Sequence, residues 1–276
     1  MIPVRMELYF DGSTLQETEA GTHRDSDPGG RRCLLPPQQL PPPVSSPPPA
    51  PAKQVFVEAP LEGPAFLGIV SAISQSSTGT INVLLIFAQF ANERHLGEGI
   101  PAYADQLFDP GLPGSFAHFF DVMSFGQLKV EGTVLPKRYT SSDPSSKYLA
   151  NTPAQQGKFS TFTRDILKQV DVDLTKFDNN GVDGIPNSGD DDGNVDYIFV
   201  LMRSVPEGFI QGKANGHAGL GRDFRSKDPG INGRNIGLMG KHWKGSLLEE
   251  GRGEGGFVWT TGIMAHEFGH ALSLPD

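Results

Sequence analysis

The sequence predicts an α/β protein in which a twisted, mostly parallel sheet is flanked by helices. Two observations carry this prediction. The runs 80–90 and 197–202 are continuous, apolar and rich in branched residues, as expected of strands buried on both faces. Segments with helical apolar spacing lie between and after these runs, at 115–124, 159–170 and 263–272.

The composition is that of one sizeable domain with additional loop and linker sequence. The chain has 276 residues, of which 37% are hydrophobic, so a single core of good size can form. Its 34 glycines and 23 prolines exceed the usual share and indicate many loops. A net charge of −9 argues against nucleic acid or an anionic membrane as partner. Cys33 is the only cysteine, which excludes an internal disulfide, and no apolar run is long enough to span a membrane.

Residues 1–54 are predicted to be a disordered N-terminal segment with a Pro-rich linker. Prolines dominate the stretch 36–51, which favours an extended polyproline conformation and buries little surface. A linker is the plainer interpretation, and a ligand for proline-binding modules is the alternative. The N-terminus lacks the basic-then-apolar pattern of a secretory signal. The folded domain is predicted to span 55–276.

Two helices and a strand are predicted in the first half of this domain. The segment 115–124 has Ser115 as a candidate cap. Its predicted buried stripe comprises Phe116, Phe119, Phe120 and Met123. His118 lies beside this stripe, so we expect a structural role for it instead of a ligand role. The alternating segment 127–134 predicts a strand with one polar face, and 159–170 predicts a second amphipathic helix.

The stretch 178–196 is the most acidic part of the chain. Closely spaced Asp and Asn residues, interrupted by glycines, offer many oxygen ligands on a flexible loop, which suits Ca²⁺. The spacing is not that of an EF-hand, because no glutamate closes a twelve-residue loop. A calcium site and a solvated acidic loop both remain open. The candidate calcium ligands are Asp178, Asn180, Asp183, Asp190, Asp192, Asn194 and Asp196.

The most specific chemical motif is HExxH at 266–270. On a helix, His266 and His270 lie one turn apart on the same face and can direct two imidazoles at one zinc ion. Glu267 lies about 100° further round the helix, where it can take a proton from an attacking water. These three residues are the minimum set for metal-assisted peptide hydrolysis. A buried helix with merely hydrogen-bonded histidines is the alternative, but such a group is costly to bury without a role.

The segment AHEFGHALSLPD at 265–276 closely resembles the active site of the immune inhibitor A-like family of secreted bacterial zinc metallopeptidases, which are metzincin-like. The segments 124–134 and 192–202 resemble the same family more loosely. The resemblance implies the upper subdomain of a metzincin-like catalytic domain, a zinc-dependent endopeptidase activity on protein or peptide substrates, and secretion. It also strengthens the calcium interpretation of the acidic loop.

The spacing HExxHxxSxxD places Asp276 in the third-ligand position of the metzincin pattern, and a carboxylate is an acceptable zinc ligand. An ordinary Pro–Asp turn residue is the alternative for Asp276. The family has glycine where this chain has Ser273. If the turn there needs a positive φ, serine is strained by about 1 kcal/mol.

The metzincin pattern implies that the glycine-rich region 208–256 contains the edge strand that pairs with an extended substrate. The residues that lead into the motif helix also offer Thr260 or Thr261 as its candidate cap. His217 and His242 lie within the region 208–256, but Asp276 already fills the expected position of the third zinc ligand.

Because no methionine-containing turn follows the motif, we expect a C-terminally incomplete catalytic domain. A catalytically inactive calcium-binding or interaction module derived from such a peptidase is therefore the alternative function. An intracellular zinc hydrolase of small substrates is a third hypothesis, suggested only by the missing signal pattern.

Overall fold

The computed structural model describes residues 75–152 and 154–275. The Pro-rich N-terminal segment, Cys33 and Asp276 lie outside the described residues, so the predictions made for them stay predictions. In chain order, the main elements are β1 (Gly79–Gln89), α1 (Phe116–Met123), β2 (Leu128–Thr140), α2 (Phe159–Leu167), β3 (Tyr197–Met202), β4 (Gly216–Ala218), β5 (Asp223–Pro229), β6 (Asn235–Met239), β7 (Gly245–Glu249) and α3 (Gly256–Ala271). No helix within the described ranges is long and apolar enough to cross a membrane.

A five-stranded sheet organises the fold. Its strand order is β2-β1-β3-β7-β4, in which the first four strands are parallel and β4 pairs antiparallel with β7. Every residue of β3 is buried, and so are Val83 to Gln89 of β1. The prediction of a mostly parallel sheet with two central strands buried on both faces is confirmed. Strands β5 and β6 form a separate antiparallel pair.

Alternate side chains of β1 enter two different hydrophobic cores. Leu84 and Ile86 pack with α2 on one face of the sheet, and Leu85 and Phe87 pack with α1 and α3 on the other. This alternation follows from the two-residue period of a strand. The helix that carries the HExxH motif therefore shares a core with α1 and with the centre of the sheet.

In helix α1 the predicted N-cap is confirmed, but only part of the predicted buried stripe is. The Ser115 hydroxyl accepts the backbone N–H of His118 at 3.0 Å, as an N-cap should. Phe116 and Phe120 are buried, whereas Phe119 and Met123 are 38% and 49% exposed. This two-turn helix meets the core through one narrow face, so residues three positions from Phe116 and Phe120 point towards solvent.

The predicted caps of α3 are wrong. The helix begins at Gly256, and both Thr260 and Thr261 are buried inside it. The Thr260 hydroxyl accepts the N–H of Gly251 at 2.8 Å and lies 2.9 Å from the Tyr103 hydroxyl. It ties the helix to the preceding loop, which is a tertiary role that local sequence does not reveal.

Candidate metal centre

Helix α3 is held against the sheet by one aromatic residue of the motif. Phe268 is fully buried, and its ring centre lies 4.8 Å from that of Tyr197, 4.9 Å from Phe120 and 5.5 Å from Phe116. The Tyr197 hydroxyl hydrogen-bonds to the Ser246 hydroxyl and lies 3.5 Å from the backbone carbonyl of Glu267. Strands β3 and β7 therefore fix the position of the motif.

The two histidines of the motif have the mutual geometry of a shared metal site. Their ring centres are 5.0 Å apart and their planes are 85° apart. Two imidazoles that each bind one tetrahedral zinc through a nitrogen about 2 Å away have ring centres about 5 Å apart, so this spacing fits zinc. His266 is exposed and His270 is half-buried, so the pair borders solvent.

A backbone carbonyl orients His270. Its Nδ1 lies 3.1 Å from the carbonyl oxygen of Leu274. Because a carbonyl oxygen only accepts, Nδ1 carries the proton in this contact and the lone pair of the neutral ring lies on Nε2. Metal-binding histidines are commonly oriented in this way by a second hydrogen bond. In this tautomer Nε2 is the nitrogen of His270 that could bind a metal.

The turn that follows α3 is a Schellman motif. The N–H of Leu274 donates to the carbonyl of Gly269, and the N–H of Ser273 donates to that of His270, both at 2.9 Å. Ser273 has a φ of 65°, in the left-handed region. Ser273 therefore meets the condition under which a serine is strained at this position, and the turn also brings the Leu274 carbonyl to His270.

We expect Ser273→Gly to raise the free energy of unfolding by about 1 kcal/mol, because glycine adopts this conformation without the steric cost that a Cβ imposes. Urea unfolding of wild type, Ser273→Gly and Ser273→Ala would measure the effect. Alanine keeps the Cβ and should give no comparable gain. Equal stability of the glycine and alanine variants would show that the serine conformation carries no strain.

Glu267 lies against the backbone of the edge strand β4. Its side chain is only 6% exposed. A Cβ added to Gly216 would lie 2.3 Å from Glu267 Oε1, so a larger residue there would displace this carboxylate from its present position. The sequence did not single out Gly216, because it is one of many glycines between 208 and 256.

His217 lies on β4, next to Gly216. Its ring centre is 4.9 Å from that of Phe159 on α2, with the two rings edge to face. Burial and the neighbouring charge of His270 lower the pKa of His217, which keeps its imidazole neutral at neutral pH. Across 75–152 and 154–275, no three His, Cys, Asp or Glu side chains group so as to hold a metal ion. The third ligand predicted at Asp276 lies outside these ranges and stays a prediction.

The acidic loop is folded upon itself by hydrogen bonds. The Asp190 carboxylate accepts the N–H groups of Val182 and Asp183, and the Asp192 carboxylate accepts Lys244 Nζ at 2.6 Å. Five of the seven candidate calcium ligands accept such bonds through their side chains, namely Asn180, Asp183, Asp190, Asp192 and Asp196. The Asn194 side chain instead donates to the Asp192 carbonyl. Most of the predicted ligands therefore stabilise the loop itself.

Asp178 differs from the other candidates. It is fully buried, and neither carboxylate oxygen makes a hydrogen bond of good geometry among the described residues, although the Asn194 N–H is near enough to lower the pKa of Asp178. The side-chain oxygens of Asn179 and Asn187 also lack a hydrogen-bond partner among these residues. Burial, reinforced by the charges of Asp192 and Asp191, raises the pKa of Asp178 from 3.8 to about 7.

Asp196 is also fully buried, but its carboxylate accepts hydrogen bonds. It accepts the N–H of Asn82 at 2.8 Å and that of Asn179 at 3.1 Å, which joins β1 to the acidic loop. Burial raises the pKa of Asp196 to about 7, against the effect of these hydrogen bonds. Asp196 therefore has a structural role in this arrangement.

The sequence matches no model of a known protein family, and no curated protein matches it significantly. The class of protein is therefore defined by its fold and by the site on α3. They describe an α/β protein whose last described helix presents two histidines with the spacing of zinc ligands. A buried glutamate lies between these histidines in sequence and packs against an edge strand.

Proposed function

We propose that this protein is a zinc-dependent endopeptidase of the metzincin type, as its resemblance to the immune inhibitor A-like family implies. The observation that carries the proposal is the α3 site. His266 and His270 are spaced for one zinc ion, and the Leu274 carbonyl orients His270 for metal binding. The family resemblance also supports action outside the cell.

His266 and His270 would hold the zinc, with Asp276 as the third ligand. The Ser273 turn supports this assignment, because the metzincin pattern uses such a turn after the second histidine to deliver a third ligand. A bound zinc ion supplies Lewis-acid polarisation of the substrate carbonyl and makes a water molecule more acidic.

Glu267 serves as the general base and then as the general acid. Its carboxylate takes a proton from the attacking water and passes it to the leaving amine. Burial against Gly216 fixes the carboxylate and limits its contact with bulk water, which strengthens its electrostatic interactions. Each proton movement therefore begins or ends on an α3 residue that packs against β4.

Strand β4 is positioned to bind the substrate. It is the last strand in the order of the five-stranded sheet, so its outer edge is unpaired in the described part of the chain. An extended peptide can add to such an edge through backbone hydrogen bonds. A peptide bound there would pass the Glu267 carboxylate, which contacts this strand at Gly216.

Hydrolysis of an unfolded protein by the zinc-loaded chain tests the proposal. We expect cleavage at internal peptide bonds, loss of cleavage when a chelator removes the metal, and recovery when zinc is restored. Mass spectrometry of the fragments would distinguish endopeptidase from exopeptidase cleavage. A folded, zinc-loaded chain that leaves the unfolded protein intact would overturn the proposal.

A second candidate function is cation binding by the acidic loop, in an inactive module derived from such a peptidase. The observation that favours it is the buried carboxylate of Asp178, with the side-chain oxygens of Asn179 and Asn187 also lacking partners in the described ranges. Buried oxygens without hydrogen bonds are costly unless an ion or a water satisfies them. A calcium ion would satisfy oxygen ligands of this kind.

The pH dependence of stability tests this second function. In the metal-free chain, Asp178 has a pKa of about 7 when folded and an ordinary value near 3.8 when unfolded. The folded state binds more protons between these values, so the free energy of unfolding falls as the pH rises through this range. The slope for one such group is about 1.4 kcal/mol per pH unit. We expect Asp178→Asn to remove this contribution, as measured by urea unfolding at several pH values.

At pH 7, calcium should raise the free energy of unfolding of wild type above that of Asp178→Asn. It should stabilise wild type, because it holds Asp178 ionised, and it should have little effect on Asp178→Asn. Asp105→Asn is the matched control, since Asp105 is exposed and lies outside the acidic loop. Equal calcium responses of wild type and Asp178→Asn would remove this loop as the calcium site.

A further inference from the structure

A cavity of about 510 Å³ lies between the acidic loop and the β5–β6 pair. Its lining includes Asp192, Asn194, Arg225, Ile231, Arg234 and Met239. A second, shallow surface depression is lined by Arg225, Arg234 and Asn235, so the two arginines border both. No residue of the candidate metal centre lines the cavity or the depression. We propose that this cavity binds a small organic oxyanion, in which a carboxylate or phosphate group is attached to a compact apolar body.

The two walls of the cavity are joined by backbone hydrogen bonds. The N–H of Gly237 on β6 donates to the carbonyl of Gly193 at 3.0 Å, and the N–H of Val195 donates to the carbonyl of Gly237 at 2.8 Å. Arg225 faces Gly237 across the β5–β6 pair, and its Nη1 donates to the carbonyl of Asn235 at 2.8 Å. These hydrogen bonds therefore fix the position of Arg225 relative to the acidic loop.

Gly237 lies beside Asn194 and Arg225, two residues that line the cavity. A Cβ at this position would lie 2.3 Å from Asn194 Oδ1 and 3.3 Å from Arg225 Nη1. Gly237 does not have a positive φ, so its backbone conformation does not require glycine. A side chain there would instead displace the Asn194 amide from its position beside the Arg225 guanidinium.

The charges that line the cavity favour an anion. Asp192 is neutralised by Lys244, whose Nζ lies 2.6 Å from Asp192 Oδ2. Neither Arg225 nor Arg234 forms an ion pair within the described ranges. The segment 222–234 carries four Arg or Lys residues and two Asp, although the whole chain has a net charge of −9. Two guanidinium groups can each bind a carboxylate or phosphate through paired N–H donors.

Size and apolar surface define the rest of the ligand. A volume of about 510 Å³ is typical of a small-molecule site and is too small for a folded partner. Ile231 and Met239 add apolar surface to the lining beside the arginines. A short-chain carboxylic acid or a small phosphate monoester has this combination of an oxyanion and an apolar body. A ligand would bind here whether or not the chain is a peptidase.

Calorimetric titration with butyrate, succinate and methyl phosphate at constant ionic strength tests this site on the full chain. We expect at least one probe to bind wild type, and Arg225→Ala and Arg234→Ala each to weaken that binding by about tenfold or more. Stronger binding of methyl phosphate would identify a phosphate ester as the ligand class, and stronger binding of the carboxylates would identify a carboxylic acid. Both arginines are exposed, so their replacement should leave the fold intact.

Arg164→Ala is the matched control, because Arg164 is an exposed arginine on α2 that does not line the cavity. It should bind the probe as wild type does. Binding that is weakened equally in the Arg164 variant would reflect net charge and overturn the site. Folded wild type that binds none of the three probes would also overturn it.

Discussion

Replacing Glu267 with glutamine is expected to lower kcat/KM for peptide hydrolysis by about 10²- to 10⁴-fold while zinc stays bound. Glutamine has nearly the size of glutamate, but its amide cannot take a proton from water. The side chain is 6% exposed and lies against Gly216, so a residue of the same shape preserves the packing. Steady-state cleavage of a peptide, with zinc content measured on the same samples, would give both quantities.

Glu254→Gln makes the same chemical change at an exposed position just before α3. It should cleave at the wild-type rate, which separates the role of Glu267 from a general effect of lost charge. A Glu267→Gln variant that keeps the wild-type rate would show that Glu267 is not the proton carrier.

Breaking the buried ion pair of Arg138 and Glu250 is expected to lower the free energy of unfolding by about 3–5 kcal/mol. The two side chains are 2% and 7% exposed, and Arg138 Nη2 lies 2.7 Å from Glu250 Oε2. Arg138 also donates to the carbonyls of Ala88 and Gly99, so the pair joins β2 to the end of β1 and to the residue after β7. Removal of either partner leaves the other buried without its counter-charge.

Arg138→Met is the suitable single variant, because methionine retains much of the apolar length of arginine. Urea unfolding should show the full loss in Arg138→Met and partial recovery in the double variant Arg138→Met/Glu250→Leu, which buries no charge. A loss below about 1 kcal/mol in the single variant would mean that the pair contributes no more than an exposed one.

The central strands could be predicted from sequence because burial on both faces leaves a continuous apolar run. Strand β3 was predicted with its observed bounds, and β1 to within one residue at each end. Strand β2 continues past its predicted end at 134 to Thr140, across Pro136. The register with β1 shifts there, and a proline is tolerated at such a bulge because its missing N–H breaks no regular pair.

Local sequence patterns could not predict the short strands that precede α3. Strand β4 has only three residues and exists because it pairs with β7, which is a long-range interaction without a local pattern. The same limit applied to Gly216, whose importance appears only when β4 lies beside Glu267. In the acidic loop, composition could not show that Asp190 and Asp192 are used in hydrogen bonds while Asp178 is not.

Helix α3 is the part of the site that could be predicted best from the sequence. The HExxH spacing alone places His266 and His270 on one helical face, and the structure gives them a ring separation of 5.0 Å. The motif also showed that serine is strained at position 273 if the turn needs a positive φ, and the φ of Ser273 is 65°. The contact of the Leu274 carbonyl with His270 could not be predicted, because it depends on the three-dimensional path of the turn.

Metal content by mass spectrometry tests the zinc centre most directly, with wild type, His270→Ala and Asp276→Ala purified and zinc-loaded in parallel. We expect about one zinc per wild-type chain and clear loss in both variants, because a structural or catalytic zinc site needs at least three protein ligands. Circular dichroism would confirm that all three proteins are folded. A folded wild type that binds no zinc would contradict the zinc peptidase assignment.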